Sequence, residues 1–210
     1  AFDRAETVRE AKKIDMDIKL PKSSKDLRIK HLKPIQSDKY LGQLDLPLMV
    51  EFISDFTGVS KNKLMRIDYK DIVKMTAHIN GLYANFDVNK RPPKEITVNG
   101  KEYEMVNPEK IGVGWHMDWS HLDIESDPVR MACLMYYPKG AIYGDVDEYD
   151  NLLNPIKDRY NDFENHFPLQ TFLEASDFFL ERFVQSAKRY TGSQILISKA
   201  RKLNPFNGKT

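Results

Sequence analysis

Glu95-Ile96-Thr97-Val98-Asn99-Gly100-Lys101-Glu102-Tyr103-Glu104-Met105 decides the fold class. Asn-Gly between two alternating runs predicts a two-residue type I′ turn, because both central residues must take positive φ. The register of that turn sets Ile96 opposite Tyr103 on one face. A small antiparallel element therefore exists, over 95–106.

On its N-terminal side the pattern changes to helix. Over 45–86, Pro47 suits a first helical turn, and Leu48, Phe52, Ile53 and Phe56 make a core-facing stripe. Gly58 fits the left-handed residue that ends such a helix. Ser60 caps a short segment carrying Leu64 and Met65. Asp68 caps a longer helix whose Ile72, Met75, Ile79, Leu82 and Tyr83 share one side.

On the C-terminal side, Gly112, Gly114, Trp115 and Trp119 lie in a stretch with no clear period and read as irregular. Asp127-Pro128 opens a helix as cap and first-turn proline, with Val129, Ala132, Cys133 and Tyr136 buried and Pro138-Lys139-Gly140 ending it. Residues 141–166 are acidic and aromatic. The strongest helix spans about 168–190. Phe172, Leu173, Ser176, Phe179, Leu180, Phe183 and Val184 lie on one side, with Glu174, Asp177, Glu181, Arg182 and Gln185 on the other.

The ends are charged. Residues 1–33 hold ten Lys/Arg and six Asp/Glu. Within them Ile14–Leu20 and Asp26–Leu32 alternate apolar with polar around Pro21-Lys22-Ser23-Ser24-Lys25, which predicts an antiparallel strand pair. From Ser186 to Thr210 there are six cations and no carboxylate side chain. The expected organisation is a charged extension over 1–17, one α+β domain over 18–190 that is mostly helical with small antiparallel β-hairpins, and a basic tail over 191–210.

Composition narrows the class. The chain has 210 residues, 41% hydrophobic and 30% charged, enough to bury about 70% of its unfolded surface without staples. The net charge of +1 does not mark a nucleic-acid binder. A single cysteine, Cys133, excludes an internal disulfide framework and a Cys-rich zinc module. No apolar run approaches the roughly 18 residues of a membrane span, and the first residues lack a signal-peptide core. A soluble protein of a reducing cytoplasm is expected.

Three constellations could carry chemistry. His116-Met117-Asp118 is the first half of a facial triad for non-haem iron, and His166 is a workable distal ligand. An arginine that would bind a 2-oxoacid carboxylate should follow His166, but none occurs before Arg182. The bland reading of the motif is a solvated or capping loop. Cys133 would be a nucleophile only beside a histidine; its place on an apolar stripe makes it a small core residue. No Gly-x-Ser-x-Gly elbow occurs, and Gly112-Val113-Gly114 is too short for a phosphate loop. Metal, cofactor and catalytic residue are all expected to be absent. The basic tail could meet phosphates or an acidic protein surface, against a frayed terminus as the plain alternative.

The order of features resembles a family. Leu20-Pro21, the run Leu27-Arg28-Ile29-Lys30, the helix Val50–Ser60, the segment Leu64–Asp71, Val98-Asn99-Gly100-Lys101-Glu102-Tyr103, the stretch Gly114–Asp118, and a helix ending Tyr136-Tyr137-Pro138 follow one another. This is similar to small proteins of tailed bacteriophages: tail assembly chaperones and baseplate hub assembly proteins of T-even-type phages. The likeness covers roughly residues 18–185 and consists of apolar and turn positions. It implies an assembly or structural role without catalysis, acting in the host cytoplasm or in the virion. An Asp shortly after a Gly, as at Asp118, belongs to that pattern and accounts for His-x-Asp without iron. The expected partners are other tail or baseplate proteins, or further copies of the chain, with no membrane and no nucleic acid. Phe172, Phe179 and Phe183, with Lys199, Arg201 and Lys202 of the tail, are the candidate partner-binding residues. Two other readings stand beside this one: an iron/2-oxoacid oxygenase using His116, Asp118 and His166, and a virion protein contacting nucleic acid through the tail.

Overall fold

The computed structural model describes residues 18–40, 42–84, 91–108, 110–123 and 126–190, with side chains as far as Arg182. The extension expected over 1–17 and the tail over 191–210 lie outside the described residues.

The N-terminal half is helical for the reasons its caps supply. After α1 (Leu32–Gln36) comes α2 (Leu46–Thr57). Asp45 caps α2 by accepting from the Leu48 N–H at 2.9 Å, with Pro47 in the first turn. Gly58 ends it at φ 74°, and its N–H returns to the Ser54 carbonyl at 2.8 Å. Val50, Phe52, Ile53 and Phe56 are buried. The short α3 (Lys61–Leu64) turns the chain into α4 (Tyr69–Tyr83), capped by Asp68 accepting from Lys70 N–H at 2.8 Å. Ile72, Thr76, Ile79 and Leu82 form the buried side of α4, which packs on α2.

The hairpin forms in the expected register. β1 (Glu95–Val98) and β2 (Lys101–Met105) set Ile96 opposite Tyr103, with Asn99 at φ 49° and Gly100 at φ 77°.

The second half is built around one buried helix. After α5 (Val113–Ser120), α6 (Pro128–Met135) is capped by Asp127, which accepts from Arg130 N–H at 2.9 Å. Met131, Ala132, Cys133, Leu134 and Met135 are all fully buried. β3 (Tyr136–Pro138) follows at once and pairs antiparallel with β2, giving the order β1-β2-β3. Then α7 (Ile156–His166) and α8 (Leu169–Tyr190) pack against α6. Asp162 of α7 accepts from Asn99 Nδ2 at 2.8 Å and from Lys101 Nζ at 2.9 Å, so the hairpin tip is fastened to α7. Those two donors hold the Asp162 carboxyl below the usual carboxylate range.

A buried helix end leaves its last four carbonyls without helical partners. In α6 each finds one. The Ala132 carbonyl accepts from the Tyr136 N–H. Cys133 accepts from Arg159 Nη2 at 3.1 Å, Leu134 from Trp115 Nε1 at 2.8 Å, and Met135 from Val106 N–H at 2.9 Å. Donors from α5, α7 and the strand region thus converge on the C-terminus of α6. That shared dependence makes the second half a single unit.

Four elements depart from the sequence expectation. Residues 26–32 are not a strand: Ser24–Asp26 and Ile29–His31 are single 3-10 turns, joined by an extended Leu27 and Arg28. The alternation is real as burial, with Leu27, Ile29 and His31 inside. The polar turn at Ser23 closes on Asp26, whose carboxylate accepts from Lys22 N–H, Ser23 N–H and Ser23 Oγ. Its strand-like pairing is a single bridge between Arg28 and Pro168, with Ile29 N–H donating to the Phe167 carbonyl and Leu169 N–H to the Leu27 carbonyl. Of the expected mate Ile14–Leu20, residues 14–17 lie outside the described residues and 18–20 form no strand. Second, Tyr136–Pro138 is a strand rather than the end of a helix. A residue before proline disfavours the helical region, tyrosine suits a strand, and proline is tolerated on an edge. Third, 113–120 is helical despite its glycines, held by Trp115. Fourth, 156–166 is helical, its buried line running through Arg159 and Phe163.

Candidate partner-binding face

The residues of the proposed iron triad are not assembled. Asp118 accepts from the Tyr143 hydroxyl and faces Arg130 Nη2 at 3.6 Å. His166 lies at the other end of its own helix from Arg159, beside Asp162, whose carboxyl it helps to lower. His116 is exposed on α5 with its ring edge-on to Trp115. No three His, Cys, Asp or Glu side chains among the described residues are grouped to hold a metal ion. What Asp118 does instead is tie α5 to the loop that carries Tyr143.

Cys133 is fully buried, and burial pushes its thiol up to about 12, so no thiolate nucleophile is presented. Of the aromatic residues expected on a partner face, Phe172 is 5% and Phe179 0% exposed. Phe179 stacks against Trp115 at 6.2 Å and Trp119 at 5.8 Å between ring centres. Both side chains are therefore packed in the core and are not presented on a partner face. Phe183 falls where side chains are not described, and Lys199, Arg201 and Lys202 lie outside the described residues.

Exposed apolar side chains occur elsewhere, on a surface that periodicity did not pick out. On α5, Val113 and Met117 stand one turn apart, and Met117 is 57% exposed. On the loop 141–154, Ile142, Val146, Tyr149, Leu152 and Leu153 are all exposed, Tyr149 at 75%. The Tyr143–Asp118 bond fastens these two elements to each other. Burial and the Asp118 carboxylate both push the Tyr143 phenol far up, so it stays a proton donor at any working pH.

The loop holds its own shape. Val146 and Leu152 form an antiparallel bridge, with Asp147 N–H to the Asn151 carbonyl at 2.9 Å and Leu153 N–H to the Asp145 carbonyl at 2.9 Å. Inside it the Asp147 carboxylate accepts from the Tyr149 and Asn151 N–H groups, each at 2.9 Å. Those backbone donors lower the Asp147 carboxyl. The base of the loop is pinned at Asn154, whose carbonyl accepts from Arg159 Nη1 at 2.7 Å. Arg159 also lies over the Tyr137 ring at 4.7 Å, and Tyr137 packs on Tyr143 at 5.1 Å. Apolar groups are thus presented on a preformed frame, which lowers the entropy lost when something docks there.

The loop is also strongly acidic. Asp145, Asp147, Glu148 and Asp150 occur with no Lys or Arg between Gly140 and Ile156. The only sequence signal for this face was that mixture of carboxylates and aromatics; a loop has no period to mark which apolar groups point outward. No helix among the described residues is long and apolar enough to cross a membrane. No protein-family model, no curated protein and no solved structure matches the chain at significant similarity.

Proposed function

We propose that this chain is an assembly or structural protein of a tailed-phage tail or baseplate, acting by binding proteins and not by catalysis. The observation that carries the binding half of this reading is the hydrogen-bonded acidic loop, with Val146, Tyr149, Leu152 and Leu153 exposed, fastened through Tyr143 to Asp118 on α5, the helix that also exposes Met117. Large apolar side chains held out on a preformed frame fit a docking surface. The phage setting rests on the resemblance over residues 18–185. The scattered His116, Asp118 and His166 give the oxygenase reading nothing to build on.

The test is a paired surface variant, Met117→Lys with Leu152→Lys. Both positions are exposed, so stability should change by no more than about 0.5 kcal/mol each. Co-purification with tail and baseplate proteins should be lost. Entry of the folded variant into tail assemblies at wild-type level would refute the assignment of this face.

A further inference from the structure

A basic cleft of about 420 Å³ opens between the first turns of the domain and the end of α2. Lys19, Lys22, Arg28 and Lys30 line it, against the single carboxylate of Asp26. That carboxylate is already engaged by Ser23 and the Lys22 N–H. His31 lines the cleft as a neutral donor. Its Nδ1 accepts from the Arg28 N–H at 2.8 Å, which leaves the proton on Nε2. The ring is stacked on Phe56 at 4.7 Å, and Leu20, Pro21 and Phe56 give the cleft an apolar floor. Such a cleft takes a carboxylate-rich segment that also carries apolar side chains.

This protein has one such segment, the loop 145–153. Four carboxylates and no cation face four cations and one carboxylate, which leaves the cleft basic. Val146, Tyr149, Leu152 and Leu153 match the apolar floor. The two surfaces sit at opposite ends of α7. The loop is held at its N-terminal end through Asn154 and Arg159, and Lys30 reaches Asn165 at its C-terminal end. An eleven-residue helix separates its ends by about 16 Å. Both surfaces belong to rigid parts of the domain, so the pairing runs between copies.

We propose that the cleft of one copy receives the acidic loop of a second copy, head to tail. This rests on the reading of the loop as a partner-binding surface and names its partner. Because the two patches differ, the contact is heterologous and repeats, closing into a ring or extending as a filament. The opposite charges steer and register the contact, which makes it sensitive to salt.

Sedimentation of the full chain tests this. The wild type should form species larger than dimers at about 50 mM salt and dissociate near about 500 mM. A cleft variant, Lys22→Glu with Lys30→Glu, should be monomeric. So should a loop variant, Asp145→Lys with Glu148→Lys, whose side chains make no bond that shapes the loop. Mixed together, the two should co-assemble beyond a dimer, because unchanged loop meets unchanged cleft at one contact and reversed loop meets reversed cleft at the next. The chain carrying all four changes should assemble again. A wild type that stays monomeric at low salt, single-patch variants that assemble alone like wild type, or a mixture that fails to co-assemble would each overturn the proposal. If the wild type is monomeric but the loop variant still fails to join tail proteins, the self-contact is wrong and the assembly reading stands. If that variant joins normally, the assembly reading of the loop falls too.

Discussion

Arg159 donates Nη2 to the carbonyl of Cys133, 26 residues earlier, from a position only 4% exposed. A guanidinium this buried usually faces a carboxylate. Here it faces the open carbonyls at the end of α6, where the helix dipole is negative. Its other arm holds Asn154 at 2.7 Å, so one side chain fixes both the core helix and the base of the exposed loop.

Replacing it by methionine keeps the volume and removes both donors. Arg159→Met should cost about 2–4 kcal/mol in urea unfolding, as two acceptors lose a charged partner. Arg159→Lys, with one compact donor group, should recover less than half. A methionine variant as stable as wild type would show that these carbonyls do not depend on Arg159.

Gly100 sits at φ 77° with open space around its Cα, so a side chain there meets strain and not a clash. Gly100→Val should therefore destabilise by about 1 kcal/mol or more, since a β-branched residue resists positive φ. An unchanged melting temperature would contradict the turn as described.

Phe179 is fully buried between α8 and the Trp115–Trp119 stack. Phe179→Ala should cost roughly 3–5 kcal/mol by denaturant titration. Loss of assembly with undiminished stability would instead place this ring at an interface.

His31 gives the fold an acid limit. Burial, then Lys30 and Arg28, lower its folded pKa from 6.5 to about 4. Unfolded chains take up a proton near pH 6.5, but the folded protein does not until about pH 4. The contribution is therefore complete above pH 6.5 and is lost as the pH falls towards 4. Allowing for solvent near the ring, it amounts to about 2 kcal/mol. His31→Asn retains an acceptor for the Arg28 N–H and should flatten this stretch of the stability–pH curve. A curve of unchanged slope in the variant would assign the acid loss to other groups.

Much of the fold was legible because its signals are local. Asp68, Gly58 and Asn99-Gly100 act within a few residues, and the structure puts each where its chemistry requires. The misses share a different cause. Alternation over 26–32 reports which residues are buried, but a chain closed on itself by Ser23 and Asp26 satisfies it with 3-10 turns. α7 hides because Arg159, a charged residue, occupies a core position, and α5 because a tryptophan bond to another helix outweighs its glycines. The exposed face was hidden for the same reason: its apolar groups lie on a loop, and the Tyr143–Asp118 bond that joins it to α5 spans 25 residues. His-x-Asp has the spacing of a metal motif, but its Asp118 is engaged in that bond.

The central claim is that the chain works by docking this loop face on other proteins of a growing tail. Lys139 and Lys157 bracket the loop in sequence and supply amines for cross-linking. Cross-linking mass spectrometry during particle assembly tests the claim most directly. The account predicts that both lysines cross-link to tail or baseplate proteins or to further copies of the chain, and that Met117→Lys with Leu152→Lys abolishes those links. Cross-links that persist unchanged in that variant, or fall on none of these proteins, would contradict it.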